Sequence, residues 1–231
     1  NLKNSDCMNH EILGVLITFL ITVLLAYPFG KYIARVFKGE RTLTDFMSPV
    51  ERFFFRICGI DPKQRMNWKQ FLKAMLTINL LWLFYAFFLL LFQDKLPLNP
   101  DGNPAPTPDL AFNTAISFLV NCNLQHYSGE TGLTYFTQLG VITFLQFVSA
   151  ATGIAALVAV FNGLKEKTTQ NLGNFWSIFT KTITRILLPL CIIIAVLLAF
   201  NGSPASFDGK DTITTLQGDT VNVSRGPAAG M

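Results

Sequence analysis

Charged residues are scarce in this sequence. Asp, Glu, Lys and Arg together make up 14% of the chain, against roughly 25% in ordinary soluble domains. Hydrophobic residues account for 51%, with 22 Phe among them. A soluble core cannot bury that much apolar surface, and here the apolar residues fall into long runs. The composition therefore predicts a membrane protein in contact with lipid.

Motifs for metal binding, disulfide formation and catalysis are also missing. The four cysteines show no CxxC or Cys/His spacing, which argues against zinc and disulfides. No HExxH, GxSxG, phosphate-binding loop or Asp-Lys-Thr-Gly-Thr motif occurs, so we expect neither catalytic residues nor a cofactor in this chain. The net charge of +4 does not indicate nucleic acid, because the basic residues flank hydrophobic runs instead of forming one patch.

Four hydrophobic runs are long enough to cross a bilayer: 12–29, 71–92, 137–161 and 175–200. Pro28 and Gly30 are expected to end the first run, and Pro189 to kink the fourth. A signal peptide is the alternative for the first run, but no small-residue cleavage site follows it, which favours a retained helix. Because the sequence begins with Asn1 and has a plausible initiator at Met8, we interpret residues 1–7 as upstream read-through and the end at Met231 as a truncation.

The positive-inside rule orients these runs. Nine basic residues lie in the 31–70 loop: Lys31, Arg35, Lys38, Arg41, Arg52, Arg56, Lys63, Arg65 and Lys69. The 93–134 loop instead has one lysine and four carboxylates. We therefore expect a cytoplasmic 31–70 loop, an external 93–134 loop and an external N-terminus. Residues 49–58 form either an interfacial helix with aromatic residues 53–55 and Trp68 as an anchor, or a packed cytoplasmic linker.

A short helix is predicted at residues 108–119. Thr107 can cap it, Pro108 suits its first position, and Asp109 complements the N-terminal helix dipole. Twelve residues span about 18 Å, which is too short to cross a core of roughly 30 Å. The segment either enters the membrane and turns back, or rests on the external surface as an amphipathic hairpin.

A re-entrant arrangement would make residues 120–125 the lining of an aqueous path, because non-helical backbone at membrane depth is otherwise not tolerated. We expect the backbone carbonyls of Val120, Asn121, Cys122 and Asn123 to hold a cation, helped by the negative end of the short helix. The side chains of Asn121 and Asn123 are expected to brace the loop through hydrogen bonds.

Other polar residues within apolar runs have simpler explanations. Asn79, Asn113, Gln138 and Gln146 either line a cavity or bond neighbouring helices, and for each alone we expect the helix bond. Ser149 and Gly153 predict a close helix contact. Lys181 and Arg185 are interpreted as cytoplasmic side chains that extend their charges to the membrane surface, and His126 as structural.

The strings LAFNTAISFLVNCNLQHYSGETG, YFTQLGVITFLQFVSAATGIA, MNWKQ and RGPAA closely resemble the potassium-transporting A subunit family of bacterial Kdp P-type ATPases. The resemblance implies an all-α polytopic protein of the bacterial inner membrane, built from K⁺-channel-like helix/pore-loop/helix repeats. It implies a K⁺-translocating subunit, an ATP-hydrolysing B subunit that carries ATP and Mg²⁺, and small C and F subunits. It also places Gln125 near the bound ion. Cys122 stands where family members often have Thr.

On this resemblance the chain divides into five parts. These are an extra N-terminal helix at 8–30, the cytoplasmic 31–70 loop, a first repeat at 71–162, a loop and helix of the second repeat at 163–200, and an external loop at 201–231. The pattern of residues 212–223 permits a β-hairpin. A Trk- or Ktr-type K⁺ permease is disfavoured because 120–125 contains no Gly. A non-conducting assembly protein stays open.

Overall fold

A computed structural model of the chain describes residues 2–124, 126–166, 171–203 and 206–227. The chain divides into two compact units, Asn1–Val50 and Glu51–Met231. Four of its helices are long and apolar enough to cross a membrane: Ile12–Lys38, Trp68–Leu91, Tyr135–Lys165 and Phe175–Phe200. The protein is therefore a mostly helical, multi-pass membrane protein, as the composition predicted.

The first unit consists mainly of helix α1, Leu2–Lys38. The prediction that Pro28 and Gly30 end this helix is wrong, because the helix continues through both to Lys38. A proline removes one backbone hydrogen bond, but apolar surroundings offer the chain no other backbone partners, so the helix persists. A 3₁₀ turn at Leu43–Met47 follows, and Thr44 Oγ1 lies 2.8 Å from Tyr32 Oη.

The helices that follow include two long apolar segments that bracket a short one. Their bounds are α2 Ser48–Ile57, α3 Trp68–Leu91, α4 Pro108–Leu119, α5 Gly129–Gly132, α6 Tyr135–Thr137 and α7 Phe144–Glu166. A 3₁₀ turn, Gln93–Lys95, follows α3, and a π-helical segment, Gln138–Thr143, joins α6 to α7. Asn67 begins α3 through a capping box, since its side chain accepts from the Gln70 amide at 3.0 Å. The aromatic residues 53–55 of α2 do not share one environment, because Phe55 is buried whereas Phe53 and Phe54 are exposed.

The last long helix contains α8 Phe175–Lys181, a π-helical segment Thr182–Leu187, and α9 Leu188–Phe200. The π-helical segment ends two residues before Pro189. A proline ring clashes with the carbonyl four residues earlier, here that of Arg185, and a wider helical turn relieves such a clash. The predicted kink at Pro189 stays a prediction.

Helix α4 packs against both α3 and α7. Ala111, Ala115 and Phe118 are completely buried and recur at the spacing of one helix face. Small alanines allow neighbouring helix backbones to approach closely. The short helix is thus held as a core element of the second unit.

Buried amide side chains hold the loops around α4. Gln93 Nε2 donates to the carbonyls of Pro104 at 2.6 Å and Gly132 at 2.8 Å, and Thr137 Oγ1 donates to Gln93 Oε1 at 2.8 Å. Gln138 Nε2 donates to the Leu133 carbonyl at 3.1 Å. Gln138 therefore bonds backbone that lies just before its own long helix, and the predicted bond to a neighbouring membrane helix stays a prediction.

The predicted hairpin is present as strands β1 Lys210–Thr214 and β2 Thr220–Ser224, paired antiparallel. Its first residue contacts the loop before α4, because the Lys210 amide donates to Asp101 Oδ1 at 3.0 Å. Lys210 Nζ lies 4.0 Å from Asp101 Oδ2. The hairpin is thereby attached to the loop that leads into α4.

Candidate functional site

The start of α4 agrees with the prediction in its bounds but not in its capping bond. Thr107 occupies the N-cap with extended backbone and Pro108 begins the helix, but the Thr107 side chain makes no capping hydrogen bond to the helix backbone. A hydrogen bond from Thr107 and further bonds from the backbone amides of Asp109 and Leu110 lower the pKa of Asp109. The Asp109 carboxylate is thus stabilised at the positive end of the helix, as expected.

Residues 120–124, here called the tight loop, fold back onto the end of α4. The backbone amide of Cys122 donates to the Ser117 carbonyl at 3.0 Å, and that of Asn123 donates to the same carbonyl at 3.3 Å. The Asn121 amide donates to the Phe118 carbonyl at 3.3 Å. The last turn of α4 therefore accepts the N–H groups of three successive loop residues.

Two asparagines give the tight loop its curvature. Asn121 and Asn123 have φ angles of 59° and 51°, in the left-handed region that most residues with a Cβ avoid. Asparagine tolerates this region better than other non-glycine residues. Ion-binding carbonyls and bracing side chains were expected of these two residues, whereas their positive φ angles were not.

The carbonyl oxygens of the tight loop are available for a ligand. Those of Val120, Asn121, Cys122 and Asn123 accept no hydrogen bond from the described part of the chain. The tight loop also follows the C-terminus of α4, where the helix dipole is negative. Uncharged carbonyl oxygens in such a position can replace the hydration shell of a cation.

Ser117 braces the tight loop from the buried face of α4. Its hydroxyl donates to the Leu124 carbonyl at 3.0 Å and lies 3.4 Å from Cys122 Sγ. The side chains of Asn121 and Asn123 make no hydrogen bond within the described residues, so the bracing predicted for them is supplied here by backbone amides and Ser117. Gln125 lies outside the described residues. His126 is exposed.

An open cavity of about 690 Å³ adjoins the tight loop. Its lining includes Asn79 of α3, Val120 and Asn121 of the tight loop, and Ser149 and Gly153 of α7. The close helix contact predicted for Ser149 and Gly153 is wrong, because a Cβ placed on Gly153 would meet no atom within 4 Å. These small residues leave space beside the tight loop instead.

A buried ion pair joins α2 to the last long helix. Arg185 Nε and Nη2 donate to the two carboxylate oxygens of Glu51 at 2.6 and 2.7 Å, and Thr184 Oγ1 donates to Glu51 Oε1 at 2.8 Å. The interpretation of Arg185 as a side chain reaching the membrane surface is wrong, since both partners are buried. Burial raises the pKa of Glu51, but the hydrogen bonds from Arg185 and Thr184 and the charge of Arg185 outweigh it, and the net pKa is lowered.

Sequence reasoning missed three buried residues whose hydrogen bonds hold the tight loop, the loops around α4 or the last long helix: Glu51, Gln93 and Ser117. Each bonds a partner that no short motif identifies. Ser117 was detectable only as a hydroxyl in the last turn of α4, next to the loop. Glu51 and Gln93 had no local signal.

A family model described as "Potassium-transporting ATPase A subunit" matches residues 16–231. A "Potassium-transporting ATPase potassium-binding subunit" of Flavobacterium johnsoniae is 61% identical over 223 residues, covering 96% of this chain and 39% of the relative. Proteins with the same description from Bacteroides thetaiotaomicron and Alicyclobacillus acidocaldarius are 57% and 46% identical, covering 97% and 94% of this chain.

The chain spans 39% of the length of each of these relatives. The family match nevertheless includes the tight loop and all or most of each of the four helices that are long and apolar enough to cross a membrane. A family-model match that covers residues 16–231 shows the family of the chain. The chain belongs to the potassium-transporting ATPase A subunit family.

Proposed function

We propose that this chain forms part of the K⁺-binding and translocating subunit of an ATP-driven K⁺ uptake complex, and that α4 and the tight loop act as a re-entrant pore loop. In this proposal the carbonyls of Val120, Asn121, Cys122 and Asn123 hold K⁺. One observation carries it: the amides of three loop residues face the end of α4, while four carbonyl oxygens lack partners within the described residues.

Three further observations support the proposal. Helix α4 has 12 residues, about 18 Å of length, so it does not cross a core of roughly 30 Å. The cavity beside Val120 and Asn121 provides room for water next to the tight loop. Relatives that share 46–61% of their aligned residues with this chain are described as potassium-binding subunits.

The same proposal places the chain in a larger assembly. A B subunit would hold ATP and Mg²⁺ and hydrolyse the nucleotide, and C and F subunits would complete the complex in the bacterial inner membrane. The N-terminus would lie outside and the segment 31–70 inside, since nine basic residues lie in that segment, some of them in the ends of helices α1 and α3. Gln125 would lie near the ion, and residues 71–162 would form the first repeat.

The test separates the backbone of the tight loop from its side chains. Asn123→Gly removes the side chain but keeps a residue that adopts positive φ readily. Asn123→Val places a β-branched residue at φ 51°, at a cost of roughly 1–2 kcal/mol. If backbone carbonyls hold K⁺, the glycine variant of the complete transporter keeps its K⁺ affinity, and the valine variant loses roughly five- to thirtyfold.

Asn113→Val is the matched control, because Asn113 is an exposed residue within α4 and its helical φ accommodates valine. Its K⁺ affinity should match that of the unmodified protein. If both Asn123 variants keep the K⁺ affinity of the unmodified protein, the backbone site is refuted. Equal loss in both would assign K⁺ binding to the asparagine side chain instead.

A further inference from the structure

A second cavity, with a polar lining, lies near the start of α3, the end of α7 and the start of α8. It is formed where the loop before α3 meets the residues before α8. The Met66 amide donates to the Gly173 carbonyl at 3.0 Å, and the Leu172 amide donates to the Met66 carbonyl at 3.0 Å. These two bonds pair the segments side by side.

Asparagine side chains fix this arrangement. Asn174 Nδ2 donates to the carbonyls of Asp61 at 3.1 Å and Gln64 at 2.9 Å, and Asn162 Nδ2 donates to the Leu172 carbonyl at 3.0 Å. Gly173 has a φ of 93°, and a Cβ there would lie 3.3 Å from Asn162 Nδ2. Close approach and positive φ both favour glycine at this position. The walls of the cavity are therefore formed before any ligand binds.

The cavity has a volume of about 260 Å³ and a cationic, amide-rich lining. Its charged and amide residues are Lys63, Arg65, Gln64, Asn162, Asn171 and Asn174. Among the described residues, no acidic side chain lines the cavity, and neither Lys63 nor Arg65 forms an ion pair. The nearby Asp61 carboxylate accepts the Lys63 backbone amide at 3.0 Å. Two cations thus adjoin a cavity whose described lining contains no counter-charge.

We propose that this cavity binds a phosphate group through Lys63 and Arg65. A guanidinium donates two parallel hydrogen bonds to phosphate oxygens, and an ammonium adds a compact charge beside it. Trp68 begins α3 three residues after Arg65 and is about half exposed, and tryptophan favours the membrane–water interface. The phosphate belongs to a phospholipid headgroup or to a free phosphate at the same depth, since basic pockets between membrane helices bind such groups.

The experiment uses the complete transporter, purified in detergent and stripped of lipid. Binding of dihexanoyl phosphatidylglycerol and of inorganic phosphate is measured separately, each by titration of the thermal unfolding temperature. The test variant combines Lys63→Gln and Arg65→Gln. Each cation near the membrane surface contributes about 1 kcal/mol, or roughly fivefold in affinity, so losing both should weaken binding about thirtyfold. The control combines Arg41→Gln and Arg56→Gln, which removes the same charge at exposed positions outside the cavity lining and should bind normally.

The two ligands identify the source of the phosphate. Saturation by phosphatidylglycerol that inorganic phosphate cannot displace assigns the site to a lipid headgroup, and displacement by millimolar phosphate assigns it to a free anion. A third variant, Arg65→Lys, keeps the charge but loses the bidentate geometry, so it should show a severalfold loss even if the double variant fails to fold. The proposal is overturned if neither ligand binds, if Arg65→Lys and the double variant bind both ligands normally, or if the control loses as much affinity.

Discussion

Replacing either partner of the Glu51–Arg185 pair should destabilise the protein far more than replacing both. The two side chains are only 5% and 8% exposed, and three hydrogen bonds of 2.6–2.8 Å end on the Glu51 carboxylate. Glu51→Leu would leave the Arg185 charge buried without its counter-ion. Arg185→Met would leave the carboxylate with only the Thr184 hydroxyl among these donors.

The size of the effect follows from this burial. Removing one partner of a buried ion pair costs about 3–5 kcal/mol, whereas replacing both with apolar residues of similar volume is often nearly neutral. The shift per kcal/mol falls with chain length, and for a subunit as long as the relatives, of which this chain spans 39%, each kcal/mol corresponds to roughly 1–2 °C, so each single variant should unfold roughly 3–10 °C lower. The double variant Glu51→Leu/Arg185→Met should recover most of that loss.

The assay is thermal unfolding of the complete subunit in detergent, followed by tryptophan fluorescence. Asp211→Leu is the control, because its ion pair with Arg225 has side chains 52% and 48% exposed and such pairs contribute about 0–1 kcal/mol. A double variant no more stable than the worse single variant would show that the two residues do not act as a pair. Single variants within about 1 °C of the unmodified protein, a change of at most about 1 kcal/mol, would show that the pair contributes little.

Four other outcomes are expected. Because the pKa of Glu51 is lowered from its ordinary value of 4.5, its contribution to stability should be constant above about pH 5 and lost as pH falls below 4.5 through the lowered pKa; Glu51→Leu should abolish that part of the pH dependence of the unfolding temperature. Ser117→Ala removes the bond to the Leu124 carbonyl, worth about 1 kcal/mol, and should lower K⁺ affinity of the complete transporter by up to roughly fivefold; no change would mean that this bond does not shape the ion site. Cys122→Thr keeps a similar volume and should leave K⁺ transport near its starting level, and a large loss would implicate the sulfur atom. A cysteine introduced at Lys63 should not react with an impermeant thiol reagent added outside intact cells, and reaction there would reverse the proposed topology.

The elements that were predicted correctly from the sequence are determined by residues close to one another along the chain. The run at 175–200 became the helix Phe175–Phe200, because the length of an apolar run relative to the bilayer is a local property. Helix α4 has the predicted bounds, since Pro108 and Asp109 favour a helix start wherever they occur together. The 212–223 hairpin followed likewise from alternation within a few residues. Pro28 was misjudged because its effect depends on the solvent around the helix.

The sequence by itself thus determined which described helices are long and apolar enough to cross a membrane, the short helix and the family, since hydropathy, capping and motif identity are read along the chain. Only the tertiary structure decided which distant groups meet. Glu51 and Arg185 are 134 positions apart, so no periodicity relates them, and their pairing depends on how α2 packs against the last long helix. The tight loop is similar: its composition indicated a cation site, but the positive φ angles of Asn121 and Asn123 and the brace from Ser117 arise from the loop closing on α4. The backbone path of the tight loop depends on three-dimensional packing against α4, which cannot be read from the order of residues.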